Sequence, residues 1–193
     1  DVTDFLYASI WHVIQTLLEA FLLVFIVVYL FLQDFRSTLI PAIAVPVSLI
    51  GSFFFLQIFG FSLNLLTLSA LVLAIAIVVD DAIVVVEAVH AKLDEGYDSA
   101  RTASMDAMHE ISGAIISITL VMAAVFVPVS FISGISGTFY REFGVTMAVS
   151  IIISAVNALT LSPTLCALLL KPHKGHEGKK LSFIDRFHLA FNA

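Results

Sequence analysis

Apolar residues run almost unbroken through five stretches, 11–32, 39–59, 63–89, 111–132 and 143–170, separated by short polar connections. At 1.5 Å of rise per residue, each is long enough as a helix to cross a hydrocarbon core about 30 Å thick. The pattern predicts an all-α fold, a polytopic membrane bundle of five transmembrane helices. Residues 1–8 read as a short periplasmic stub, 9–171 as the bundle and 172–193 as a cytoplasmic tail. In that tail Phe183, Ile184, Phe187, Ala190 and Phe191 recur at helical spacing, which predicts the start of an amphipathic interfacial helix.

Polar residues inside these stretches fall into stripes. Helix one carries His12, Gln15, Thr16 and Glu19 on one face near its outer end, and Glu19 is the deepest of them. Helix two contains Pro41 and Pro46, each of which removes a backbone donor. Helix three starts after a turn at Gly60 with Asn64 and Thr67, and its Ala70, Ala74 and Ala76 offer smooth surfaces suited to a central, close-packed helix. Between helices three and four, Gly96 reads as a break and Asp98 or Ser99 as a cap, leading into an amphipathic turn. Pro128 lies near the outer end of helix four. Helix five carries Thr146, Ser150, Ser154 and Asn157 as one stripe, continued by Thr160. Those side chains either bond helix to helix or line a hydrated path, and the pattern fits both.

Composition excludes a soluble domain. Of 193 residues 60% are hydrophobic and 12% charged, and the mean hydropathy is +1.07. Arg36, Lys92, Arg101, Lys171, Lys174, Lys179, Lys180 and Arg186 fall on one side of the predicted bundle and only Arg141 on the other. By the positive-inside rule the first side is cytoplasmic, so the N-terminus is expected in the periplasm and the C-terminus in the cytoplasm. The formal charge of −6, without a basic cluster, does not suit nucleic acid. The chain opens without Met or a basic leader, which reads as a piece of a longer polypeptide. Cys166 permits no internal disulfide and reads as a packed apolar residue; His90 and His109 read as solvated surface, and no metal-ligand spacing is present.

The chemistry concentrates in helix three. Asp80 and Asp81 stand side by side in an apolar run, with Glu87 seven residues beyond Asp80 on the same stripe as Ser69 and Val84. Each charged Asp at a helix centre costs roughly 2.5–3.5 kcal/mol, so the pair needs protons, cations or water to offset it. Asp81 points about 100° from Asp80, and the two carboxylates are expected to enter different parts of one interior pocket. No Lys or Arg lies inside the five apolar stretches, so a compensating cation has to come from elsewhere. The reading is a proton relay at Asp80 and Asp81, with protons as the coupling ion and no other cofactor. Glu87, Asn157, Ser154, Thr160 and Glu19 are its candidate accessory polar residues.

The run Val78-Val79-Asp80-Asp81-Ala82-Ile83-Val84-Val85-Val86-Glu87, preceded by Gly60-Phe61-Ser62-Leu63-Asn64, resembles the fourth transmembrane helix of resistance-nodulation-division efflux pumps of the hydrophobe/amphiphile branch. Phe31-Leu32-Gln33-Asp34-Phe35-Arg36 with Pro41 and Pro46, Val125-Phe126-Val127-Pro128, Tyr140-Arg141-Glu142-Phe143 and Leu161-Ser162-Pro163-Thr164-Leu165-Cys166-Ala167 resemble its second, third, fifth and sixth helices. The resemblance implies a trimeric, proton-driven antiporter of the bacterial inner membrane. It also implies a periplasmic adaptor, an outer-membrane channel and a second half of the same polypeptide that supplies Lys and Arg counter-ions. The heavy-metal branch usually has a single Asp here, so the pair favours drug or amphiphile export. Where the family often has Asn after the Glu, this chain has Ala88 on the stripe of Asp81.

Two other classes stand beside this reading. A relative exporting lipid, metal or protein would use the same relay, whereas a non-transporting scaffold would not need buried carboxylates. No nucleophile–base pattern or phosphate loop points to an enzyme.

Overall fold

The computed structural model describes residues 2–134 and 136–172, with side chains from Tyr7 onward. The expected surface helix of the tail lies outside the described residues. Within them the chain forms α1 (Val2–Leu32), α2 (Phe35–Ile58), α3 (Leu65–Asp94), α4 (Ala100–Val129), α5 (Gly137–Leu159) and α6 (Leu161–Leu169), with no strand. Five spans are long and apolar enough to cross a membrane, the fifth being α5 and α6 together.

Local chemistry sets the boundaries. Gln33 takes φ 50°, a left-handed ending for α1, and Asp34 then caps α2 by accepting from the amides of Arg36 and Ser37. α2 continues unbroken through Pro41 and Pro46 and ends at Gly60, whose φ of 67° suits glycine. Asn64 caps α3 in a reciprocal capping box with Thr67, and Ser99 caps α4.

Two expectations need correction. The fifth apolar stretch is not one helix: Thr160, at φ −122° and ψ −63°, leaves the helical basin and divides α5 from α6. Pro163, having no N–H, cannot bond the carbonyl of Leu159, which explains a break at this place. Within the polar connection of residues 90–110 the Gly96 break and the Ser99 cap fall as the sequence predicts, but α3 reaches further than its apolar stretch. α3 runs on to Asp94 and α4 starts at Ala100, with Gly96 at φ 100° in the short turn between them. Lys92 therefore lies within α3, although none of the apolar stretches contains a basic residue.

α3 is the central helix and touches each of the other five. Its small and β-branched residues build two of the three buried clusters. Val85, Val86 and Val89 pack with Ala103, Ala107, Ala155 and Cys166, while Ala74-side residues Ile75, Val78, Val79 and Ala82 pack with Val28, Ala44 and Val45. Ala70 joins Met147 and Ile151 in the third. Because lipid is as apolar as these side chains, close van der Waals fit rather than escape from water holds the helices together. Cys166 is buried and free, as a packed apolar residue should be. Along α3 one stripe stays unpacked: Ser69, Leu73, Ala76, Asp80, Val84 and Glu87 are all exposed. α1 is peripheral and, among the described helices, contacts only α2 and α3.

Candidate functional site

Asp80 and Asp81 sit at the middle of α3, fifteen and sixteen residues from Leu65. At 1.5 Å per residue that is more than about 20 Å along the helix, the depth at which a charge is most costly.

Among the described residues no pocket encloses both carboxylates. Asp81 is half-buried between α3 and α5 and accepts a hydrogen bond from Ser154 Oγ. Asp80, rotated about 100° from it, lies on the unpacked stripe of α3. Glu87 shares that stripe, as its spacing requires, and is exposed. One aspartate thus looks into this bundle and the other out of it.

No cation described here compensates them. Lys92 lies eleven residues beyond Asp81, about 16 Å along the axis, and is engaged elsewhere. Its Nζ is 2.6 Å from Glu110, 3.3 Å from Glu95 and 3.7 Å from Asp106, and Tyr97 donates to the same Asp106. This lock ties the ends of α3 and α4. The bond to carboxylate Asp106, which the neutral phenol alone can donate, raises the Tyr97 hydroxyl above its ordinary pKa.

The polar stripe of α5 joins three helices. Ser154 meets Asp81 on α3, Ser150 and Ser52 of α2 lie 2.9 Å apart between hydroxyls, and Asn157 Nδ2 donates to Ser48 Oγ of α2 at 2.6 Å. All of these side chains on α2 and α5 are buried. Sequence reading missed Ser48 and Ser52. Their i, i+4 spacing in a mostly apolar helix was the available signal. Thr146 returns its hydroxyl to the Glu142 carbonyl at 2.6 Å, and Thr160 bonds back to Val156 on the exposed side of the helix break. Thr160 therefore does not extend the buried stripe.

Glu19 is exposed and accepts from Gln15 Nε2 at 2.8 Å, while Thr16 bonds the His12 carbonyl at 2.8 Å. α1 meets the bundle through Leu17, Phe21, Val24 and Val28, a different face. The structure does not bring Glu19 to the aspartates. His90 is half-buried with Nε2 3.2 Å from Ser37 Oγ, correcting its reading as solvated surface; His109 is exposed as expected. No group of three metal-ligating side chains occurs among the described residues. At the α1–α2 corner, partial burial works to raise the Asp34 carboxyl. Hydrogen bonds from the Ser37 hydroxyl and the Ser37 and Arg36 amides, with His90 nearby, outweigh it and hold the pKa below its ordinary value.

A family model described as the AcrB/AcrD/AcrF family matches residues 1–193. The chain is 46% identical, over its full length, to the multidrug export protein AcrF of Escherichia coli (strain K12), of which it covers 19%. It is 45% identical over 99% of its length to the multidrug resistance protein MdtF of the same strain, covering 18% of it. It is 48% identical, again over its full length, to the solvent-resistant pump membrane transporter SrpB of Pseudomonas putida, covering 18%. The chain thus spans less than a fifth of the length of these relatives.

Proposed function

This chain belongs to the AcrB/AcrD/AcrF family, and from that premise we propose that it is the proton-coupling transmembrane part of a multidrug efflux transporter. In this reading Asp80 and Asp81 take up protons from the periplasmic side and release them to the cytoplasm while cargo leaves. The placement of both aspartates at the middle of the central helix is the observation that carries it. Names of similar proteins refer to multidrug and solvent export, which supports amphiphilic cargo rather than metal or protein. An export protein and a pump membrane transporter among them support carriage rather than enzymatic turnover.

The geometry suggests how protonation drives movement. Ionised Asp81 can only accept, and Ser154 Oγ supplies a hydrogen. Protonated Asp81 gains a donor and loses its charge, so the charge-assisted bond that ties α3 to α5 weakens. Ionised Asp80, on the open stripe of α3, calls for a cation from outside this bundle, and protonation releases it. A second half of the polypeptide packed on that stripe is the source we propose for Lys and Arg. Each proton crossing 100 mV supplies about 2.3 kcal/mol, enough to shift such a two-state contact substantially. The distribution of basic residues supports an N-terminus in the periplasm and a C-terminus in the cytoplasm of a bacterial inner-membrane protein. A homotrimer working with a periplasmic adaptor and an outer-membrane channel completes it.

Replacing either aspartate by Asn in the full-length pump is expected to abolish drug resistance while membrane level and assembly stay normal, since Asn keeps the shape but carries no exchangeable acid proton. Wild-type resistance in both single variants would overturn the relay.

A further inference from the structure

Where α5 breaks at Thr160, α6 turns away and leaves a cleft of about 770 Å³ against the first turns of α4. Its volume falls within the range of roughly 300–1,000 Å³ typical of ligand pockets. The walls are mainly apolar, with Met105 and Met108 on one side and Leu159 and Leu168 on the other. Methionine side chains, unbranched and polarisable, adapt to an irregular apolar guest.

Three polar features meet at the α4 end of this cleft. Arg101 lines it, is exposed, and pairs with no carboxylate among the described residues. Ser104, one turn further on, also lines it; the residue is only 3% exposed and its hydroxyl has no hydrogen-bond partner among the described residues. A buried, unsatisfied hydroxyl carries a desolvation cost that an ordinary hydrogen bond would offset, and a ligand oxygen would relieve it. The first turn of α4, a helix of 30 residues capped by Ser99, holds no acidic residue, the nearest acid before it being the exposed Asp98 ahead of the cap. Asp106, the next acid along α4, is turned to Tyr97 and Lys92.

We propose that this cleft binds one anionic phospholipid of the leaflet on the Arg101 side. The phosphate meets Arg101 and the start of α4, a glycerol or ester oxygen accepts from Ser104, and an acyl chain lies along Met105, Met108, Leu159 and Leu168. An apolar wall beneath a cationic end selects a lipid over free phosphate, which would leave the apolar surface uncovered. Occupancy props α6 at its angle to α4, next to the break in the helix that carries Ser154.

The test uses the delipidated full-length pump, titrated with phosphatidylglycerol and, separately, with phosphatidylcholine while native mass spectrometry counts bound lipid. Arg101→Gln, on an exposed side chain, is expected to weaken one phosphatidylglycerol site per protomer about tenfold and to leave phosphatidylcholine nearly unchanged. Thr164→Trp, which fills the cleft from α6, should remove that site. A photo-crosslinker at Met105 in native membranes should capture phospholipid. Unchanged phosphatidylglycerol binding in both variants would overturn the proposal. So would a crosslink to a peptide, whether from residues 173–193, the second half or another copy, or competition by inorganic phosphate at the same affinity as lipid.

Discussion

Deleting the Asn157 side-chain amide separates a stripe that ties helices from one that conducts. Asn157 is 8% exposed and donates at 2.6 Å to Ser48 across the α2–α5 contact. Asn157→Leu keeps the branched heavy-atom outline and removes the bond. Hydrogen bonds between transmembrane helices average about 0.6 kcal/mol and reach about 1.7. Ser48 can turn its hydroxyl back to the Ala44 carbonyl, so the full penalty of an orphaned buried group does not apply. The expected loss is about 0.6–1.7 kcal/mol of local stability. Hydrogen exchange of α5 amides in the full-length pump should then accelerate roughly 3- to 16-fold where exchange follows local opening. A double-mutant cycle with Ser48→Ala should return most of this as coupling energy, because the two residues are direct partners. Turnover per folded pump should be unchanged. Turnover reduced severalfold with α5 exchange unaltered would refute the structural reading and restore a hydrated path through Asn157.

Other outcomes follow from the local geometry. Asp34→Ala should cost about 1 kcal/mol by removing the cap of α2, whereas Asp34→Asn, still an acceptor, should keep the cap and lose only the part that depends on the charge. Because the folded Asp34 pKa is depressed, its stabilisation is present above the unfolded carboxylate value and fades as pH falls through the folded one. Acid titration of stability should therefore lose that component in Asp34→Asn, and an unaltered profile would contradict it. Gly144→Val should destabilise by about 1–3 kcal/mol through forced separation of α4 and α5, since even a Cβ there would meet Ser130 Oγ at 2.9 Å and the Phe126 carbonyl at 3.0 Å. A melting temperature equal to wild type would show the helices yield freely. Lys92→Met should lower the melting temperature, and the difference should narrow in high salt because its partners Glu95, Asp106 and Glu110 are solvent-accessible.

Helix number and the central role of α3 were readable because lipid demands long apolar runs and central helices carry small residues. The site was legible as residue types: two aspartates at a helix centre stand out wherever they point. Their surroundings were not. Angular spacing separated Asp80 from Asp81 by about 100°, but which face other helices cover depends on tertiary packing. Hence a shared pocket was expected, and an open stripe beside a Ser154 contact was found. Ser48 and Ser52 became meaningful only once α2 lay against α5, since a serine pair in an apolar helix also bonds its own backbone. The break at Thr160 was hidden by hydropathy, which continues through it; Pro163 was the only local sign. Glu19 followed helical spacing faithfully, yet sits on the face of α1 turned away from the bundle.

Proton movement through the full-length pump, reconstituted in vesicles with an imposed pH gradient, tests the central claim most directly. Drug-dependent proton flux should be present in the wild type and absent in both Asp80→Asn and Asp81→Asn, with drug export lost in parallel. Drug-dependent proton flux at the wild-type rate in either variant would contradict the assignment of that aspartate to the relay.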